Sequence, residues 1–487
     1  PKTGAAQLGN SIKQMQVSDG YEVVKELGRG GQGVAYLAKE NQGQHEVVLK
    51  MYAKTNQAGA IEDITQEFEL LQALKHPKIA RVFDIFQDWQ NVYIVQEPYF
   101  GGDLTTAVAK ATKAGIQINE QWLSQVICQV LTGVEFLHKN GVVHSDLKEP
   151  NVMVAGTTDW QHPQVIVIDF GLANKFSSKS GVGGTPGYMP PEVWDYGLWT
   201  PRGDVFSIGV MLYTLRIGRS PFVSGQADMK GIREATRKQA VVVDRGSDEL
   251  KRLTEAMLAK AFVQRPNIAQ ILEDPWFKTS ANSSPCLDVQ ALEGLKTKRE
   301  RTDIYRALLA DIAAKQNLGQ LRELNDLFLA MDNDNNGHIS AQELRDGLKG
   351  VWEDSEVEKL IQVFGFEAGS TKEISYEEFM GELLAAKVPE EGALLQRVFQ
   401  EVDKSNRGYL DPEALQELAT RPGFVKLFSS PEAALARLQE MDGGRTGRVT
   451  FDDFCRAVQG TQQEAARMSM RLGTIGRRLP YKVGKAA

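Results

Sequence analysis

Apolar positions along the chain follow three successive regimes. Between residues 21 and 100, β-type runs at Val47 to Tyr52 and Val92 to Val95 surround one segment, Ile61 to Leu74, in which Ile64, Phe68, Leu71 and Leu74 recur at helical spacing. This predicts a small, sheet-rich lobe with one packed helix. From Gln121 to about Phe277 the helical period dominates, broken by strand-like pieces at Val152 to Val154 and Val165 to Ile168, which predicts a larger helical lobe. Lys278 to Pro285, rich in Ser, Thr and Asn, reads as a linker. The third regime repeats itself: twelve-residue stretches led by Asp or Glu begin at Asp332, Glu367, Asp403 and Asp442, spaced 35, 36 and 39 residues apart.

Charge sharpens this division. The net charge of −7 is distributed as 0 over residues 1–319, −12 over 320–460 and +5 over 461–487, so the repeats form an acidic block followed by a basic tail. With 487 residues, two or more domains are expected. An acidic chain of this kind has no overall basic surface for nucleic acid, and no nucleic-acid partner is expected. Cys128, Cys286 and Cys455 fit neither a disulfide framework nor a zinc spacing, which predicts a reducing, intracellular and cytoplasmic setting. No run reaches the roughly 20 apolar residues of a membrane span, and the first residues lack a signal-peptide layout. The chain opens at Pro1, so membrane contact is left open only through a missing N-terminus or through the tail bearing Arg467, Arg471, Arg477, Arg478, Lys482 and Lys485.

Candidate phosphate chemistry lies in residues 21–277. Gly28, Gly30 and Gly33 form a GxGxxG pattern that lets backbone amides approach phosphate oxygens without interference from Cβ atoms. Lys50 closes the run Val47 to Lys50, and Glu67 lies on the amphipathic segment, a pairing suited to fixing an ammonium against phosphates. The stretch His144 to Asn151 (HSDLKEPN) offers the carboxylate of Asp146, the ammonium of Lys148 and the carboxamide of Asn151. Asp169, Phe170 and Gly171 follow an apolar strand and add a second carboxylate; hard oxygen ligands at a strand end suit Mg²⁺.

In this order and spacing the motifs resemble those of the eukaryotic protein kinases, and Asp146 to Lys148 with Gly184 to Glu192 are similar to the serine/threonine branch. The resemblance implies that Lys50 contacts the α- and β-phosphates of ATP, that Glu67 anchors it, and that Asp146 orients and deprotonates the substrate hydroxyl. It implies Lys148 at the γ-phosphate, Asn151 and Asp169 on Mg²⁺, Gln96 as gatekeeper, Glu97 and Tyr99 at the adenine hinge, and Asp103 near the ribose. Glu192 and Arg265 resemble the buried ion pair of the helical lobe, and Asp204 the support of the catalytic loop. Three positions depart from the pattern. Ala35 replaces a valine above adenine. Ser145 replaces the arginine that receives an activation-loop phosphate, which predicts activity independent of such phosphorylation. Pro150 occupies the place where many basophilic kinases carry a glutamate, which removes one basis for reading substrate arginine while leaving Asp103 as another.

Within the acidic block, Asp332 to Glu343 places oxygen ligands at Asp332, Asp334, Asn336 and Ser340, a glycine at Gly337, the backbone carbonyl of His338 and a closing glutamate at Glu343, the Ca²⁺ requirements of an EF-hand, with Leu324, Phe328 and Leu344 at helical spacing around it. The other loops are degraded. The second has Gly369, Thr371 and Lys372 in place of two carboxylates and a glycine, the third ends in Ala414, and the fourth has Gly444, Thr446 and the shorter Asp453. One competent calcium site among four is expected, with repeats one and two, and three and four, paired into two lobes.

A kinase followed by four EF-hands resembles the calcium-dependent protein kinases of plants and protists, over residues 21 to about 460. The expected fold is multidomain: an α+β bilobal protein kinase fold followed by an all-α, calmodulin-like EF-hand domain. The expected parts are an N-terminal extension (1–20), kinase domain (21–277), linker and junction helix (278–319), EF-hand repeats (320–460) and basic tail (461–487). That family carries an inhibitory helix at the junction. Here Lys296, Lys298, Arg299 and Arg301 precede Tyr305, Leu308, Leu309 and Ile312, spaced i, i+3, i+4, i+7, so the basic residues would block the substrate groove and the apolar stripe would offer itself to the EF-hands. The function implied is ATP- and Mg²⁺-dependent phosphorylation of protein substrates, held off by the junction helix until Ca²⁺ binds; an intramolecular contact between kinase and EF-hands is implied as well. The alternative is an inactive pseudokinase serving as a calcium-responsive scaffold.

Overall fold

A computed structural model of the chain describes residues 12–30, 33–41, 45–54, 60–175, 183–224, 228–280, 303–315, 321–349, 352–364, 366, 372–387, 391–403, 407–444 and 446–459. The chain forms two compact units, Pro1–Leu287 with Asn317–Ile339, and Asp288–Gln316 with Ser340–Ala487. The division therefore falls inside the first repeat, whereas the change of composition lies at 320. The basic stretch at 296–301, the tail from 461, Cys286 and residues 367–371 of the second loop lie outside the described residues.

In the first unit, a six-stranded sheet has the spatial order Lys13–Gln14, Val82–Gln87, Asn91–Gln96, Glu46–Ala53, Gly33–Glu40 and Tyr21–Gly30. Glu46–Ala53 is an interior strand with partners on both sides, and Lys50 sits opposite Ala35 on one neighbour and Ile94 on the other. Pairing on both edges fixes its register, and with it the face from which Lys50 projects. Helix Ala60–Ala73 buries the expected stripe of Ile64, Phe68 and Leu71. Glu62 and Asp63 in its first turn complement the helix dipole.

The larger lobe is helical. Its long helix Glu120–Lys139 starts where the Asn119 side chain accepts the Trp122 N–H, and Trp122, Leu123, Val126, Ile127, Val130 and Leu131 are wholly buried. Helix Pro201–Ile217 is capped by Thr200, opened by Pro201 and closed at Gly218. From Gly203 to Tyr213 it is buried on every side, the pattern of a helix at the centre of a core. The guanidinium of buried Arg265 holds Glu192 through bonds of 2.6 and 2.8 Å. Removing either partner would strand a buried charge, at about 3–5 kcal/mol. Helix Arg322–Met331 belongs to this same unit, burying Leu324, Leu327, Phe328 and Met331 and pairing Arg322 with Asp159 at 2.8 Å.

The second unit is helical, joined by short strands. Tyr409–Leu410 of repeat three pairs antiparallel with Val449–Thr450 of repeat four. Helix Asp303–Lys315, the junction helix, is part of its core: Ile304, Tyr305, Leu308 and Leu309 cluster with Leu395, Phe399, Leu418, Phe424 and Phe454, with Ile312 packed beside them. At Gly423 a Cβ would lie 2.6 Å from the Ala307 carbonyl, so only glycine permits the approach of helix Pro422–Phe428. Asp311 and Arg421 close the contact at 2.9 Å. No described helix is long and apolar enough to cross a membrane.

Candidate active site and calcium loop

Lys50 brings the two lobes of the first unit to one point. Its Nζ donates to Glu67 Oε1 (3.1 Å) and to Asp169 Oδ1 (2.8 Å), and Tyr52 donates its hydroxyl to the other oxygen of Glu67 (3.0 Å). Burial opposes the charge on Lys50, but Glu67, Tyr52 and Asp169 outweigh it and hold the ammonium well above its ordinary pKa. Burial likewise works against ionised Asp169, and Lys50 offsets it, leaving the carboxyl below the usual range. Gly28 and Gly30, on the strand that ends the glycine hairpin, have open space where a Cβ would stand, whereas at Gly33 a Cβ would strike the Met51 carbonyl.

The catalytic stretch is fixed from below. Asp204, fully buried on the central helix, accepts from the backbone N–H groups of His144 (2.9 Å) and Ser145 (3.0 Å) and from His138 Nε2 (2.9 Å). Ser145 and Asp169 have φ of 68° and 65°, left-handed conformations that cost about 1–2 kcal/mol each for residues bearing a Cβ. The Ser145 hydroxyl is buried with no partner among the described residues. Asp146 is ringed by donors: Thr185 Oγ1 to Oδ1 (2.6 Å), Lys148 Nζ to Oδ2 (2.7 Å) and Asn151 Nδ2 to Oδ2 (3.1 Å). Lys148 also donates to Thr185 (2.7 Å). Asn151 is tied as well to the Asp146 carbonyl at 2.8 Å. An ionised Asp169 and a carboxamide at Asn151 make a hard-oxygen donor set that fits Mg²⁺.

The other residues named from sequence lie along the connection between the lobes. Gln96 ends its strand opposite Val48 and Val82. Glu97 is buried and donates its N–H to the Arg81 carbonyl at 3.0 Å. Tyr99 turns its hydroxyl inward to accept from Arg81 N at 3.2 Å, so its side chain serves the core. Asp103 caps helix Leu104–Lys113 through Thr106 N at 2.8 Å.

In the first calcium loop, Asp332 accepts from the N–H groups of Asn336 (3.0 Å) and Gly337 (2.9 Å), and Asn336 Oδ1 accepts from His338 N (2.7 Å). Glu343 accepts from Ser340 N (2.9 Å) and Oγ (2.7 Å). Asp332 and Asp334 open the loop and Glu343 closes it, carboxylates of the kind that suit a hard cation. The later loops differ where the sequence departs. In the third, Asp403 still accepts from Arg407 N and Gly408 N, but Ala414 brings no closing carboxylate. In the fourth, Asp453 is engaged by Thr450 and by Arg456 at 2.6 Å.

The first loop also holds the large lobe. Asn335, a non-ligand position with φ 53°, meets His76 Nε2 through its Oδ1 at 3.2 Å and donates Nδ2 to the Thr132 carbonyl at 2.7 Å. His76 Nδ1 accepts from Lys78 N at 3.2 Å, which leaves Nε2 to carry the proton toward Asn335. The His76 ring stacks on Phe136 with centroids 4.6 Å apart. Gly337, at φ +85°, passes so close to Phe136 that a Cβ would collide with the ring.

The protein kinase domain family matches residues 21–277, more than half of the chain. The chain belongs to the protein kinase family. It is a serine/threonine kinase, and its likeness to known proteins runs well past the kinase domain. Calcium-dependent protein kinase 3 of Oryza sativa subsp. japonica is 29% identical over 90% of this chain and 80% of its own length. Calcium-dependent protein kinases 10 and 13 of Arabidopsis thaliana are each 28% identical, covering 91% and 94% of this chain and 81% and 87% of their own lengths. The chain is thus similar to calcium-dependent protein kinases over about nine-tenths of its length, and the protein kinase family implies ATP with Mg²⁺. Sequence reasoning missed three features of this kinase: Tyr52 on Glu67, the Asn335 socket, and Glu149 on Tyr188. Only the first had a local signal, since Tyr52 lies two residues after Lys50 and so on the same strand face.

Proposed function

We propose that this kinase transfers the γ-phosphate of ATP to serine or threonine hydroxyls of proteins in response to calcium, with Asp146 as the group that orients the hydroxyl and accepts its proton. The ring of donors on Asp146 supports this, because Thr185, Lys148 and Asn151 fix both carboxylate oxygens in place before substrate arrives. Lys50 braces the phosphates and Lys148 offsets charge developing on the transferred group. Asp169 and Asn151 would hold Mg²⁺, which would supply further charge neutralisation.

The observation that carries calcium control is the double role of the first loop. Asp332, Asp334, Asn336, His338, Ser340 and Glu343 would hold the ion, while Asn335 and Gly337 of the same loop sit against His76 and Phe136. His76 lies three residues beyond helix Ala60–Ala73, which carries Glu67. Ligand geometry in the loop is thus linked to the segment that positions Lys50. The junction helix supplies the off state: when the second unit releases Tyr305, Leu308 and Leu309, the helix and its preceding basic residues become available to occupy the substrate groove. The test is Glu343→Gln in the full chain, which should nearly silence the calcium response, while Asp453→Asn leaves it almost intact. A normal response in Glu343→Gln would overturn the single-site reading.

A further inference from the structure

The motif departure at Lys148 to Asn151 has a structural consequence. With Pro150 in the place of a glutamate, the stretch carries its glutamate at Glu149 instead, buried in the short turn Glu149–Asn151 between Lys148 and Asn151. Its Oε2 accepts the Tyr188 hydroxyl at 2.5 Å, and its Oε1 has no hydrogen-bond partner among the described residues. Burial raises the carboxyl of Glu149 above its ordinary pKa, with the Tyr188 bond opposing. Tyr188 in turn is anchored at both ends. Its carbonyl accepts from Ser207 on the central helix at 2.9 Å, and its N–H donates to the Thr185 carbonyl at 3.0 Å. Thr185 is the residue whose hydroxyl touches both Asp146 and Lys148.

We propose that Glu149 and Tyr188 are a positioning pair that fixes the segment from Gly184 to Tyr188 against the catalytic stretch, and so sets how the protein substrate is presented to Asp146. A hydroxyl presented to Asp146 must pass beside Thr185. Thr185 is held from two sides, by its own contacts to Asp146 and Lys148 and through Tyr188 by Glu149. Losing the second tie frees the segment to move away while the nucleotide side of the site, built on Lys50, Glu67 and Asp169, stays in place. The same bond keeps the Glu149 carboxylate turned into the protein, so it reads no cation on the substrate.

This inference rests on the kinase reading, and the experiment separates the two. In the full chain with calcium, peptide and ATP kinetics are compared for the parent, Tyr188→Phe, Glu149→Ala, Glu149→Gln and the double change. Parent turnover establishes the kinase reading first. Tyr188→Phe and Glu149→Ala should each raise the peptide KM about tenfold, the effect of one hydrogen bond to a charged group. The KM for ATP should stay within about twofold, as expected for loss of substrate positioning alone. The double change should be no worse than either single one, and Glu149→Gln, whose amide oxygen still accepts from Tyr188, should recover most of the loss. An unchanged peptide KM in folded Tyr188→Phe, additive losses, or an equal rise in the KM for ATP would each overturn the proposal. Should Glu149→Ala fail to fold, Tyr188→Phe against Glu149→Gln decides the question.

Discussion

Replacing Asn335 by glycine isolates the socket between the first calcium loop and the large lobe. Glycine keeps the left-handed backbone at φ 53°, so the change removes the side chain without adding strain. What is lost is one hydrogen bond with His76 at 3.2 Å, one to the Thr132 carbonyl at 2.7 Å and a longer one to Glu135 at 3.4 Å. The Thr132 bond contributes about 1 kcal/mol net, because that helix-interior carbonyl keeps its place in the helix ladder, and loss of the other leaves buried His76 unpaired at about 1–3 kcal/mol, so docking should weaken by roughly 2–4 kcal/mol. If the docked loop is the calcium-competent one, reciprocity passes part of this to calcium affinity. A coupling of about 1–3 kcal/mol would raise the calcium midpoint of activity at least fivefold. Calcium titration of peptide phosphorylation, paired with thermal melting in saturating calcium, reads both effects. A midpoint within about twofold of the parent and an unchanged melting temperature would refute the link between this contact and calcium control.

Asp146→Asn should abolish turnover while leaving ATP binding nearly intact, since its contacts are to Thr185, Lys148 and Asn151; activity within about tenfold of the parent would count against Asp146 as the base. Leu308→Asp places a carboxylate in the core that holds the junction helix, and should leave the full chain inactive even at saturating calcium; normal activation would contradict capture of that helix. His76 is pushed down to about 3 by burial, with Lys78 adding to the shift. Because the folded pKa is depressed, its contribution to stability is complete above the unfolded value near 6.5 and is lost as pH falls toward 3, about 1.4 kcal/mol by pH 5.5. Denaturant melts at pH 8 and 5.5 should show that loss in the parent and its absence in His76→Gln.

Features set by local chemistry were legible in the sequence. Lys50, Glu67, Asp146, Asn151 and Asp169 meet in one place because each sits at a strand end, on a helix face or in a turn that its neighbours dictate, and Ala60–Ala73 and the strands at 152–154 and 165–167 form where the periodicity predicts. The apolar stripe of the junction helix was equally readable, since Tyr305, Leu308 and Leu309 need cover wherever they fold. What escaped depends on long-range meetings. His76 and Asn335 are 259 residues apart, and a non-ligand asparagine in a calcium loop carries no mark of the partner it will find. Helix Arg322–Met331 likewise has the amphipathic pattern of its repeat, and nothing in that pattern says which core takes its apolar face. The sequence showed Pro150 as a departure, but the pairing of Glu149 with Tyr188 needed the fold of the segment 39 residues on.

The central claim is that this site transfers phosphate under calcium control, and one phosphotransfer assay tests it: full chain, Mg·ATP and a serine/threonine peptide, with calcium or with chelator. The account predicts turnover with calcium, little without it, and none in Asp146→Asn under either condition. Absence of transfer in both conditions from folded protein that binds ATP would contradict it and leave a calcium-responsive scaffold in its place.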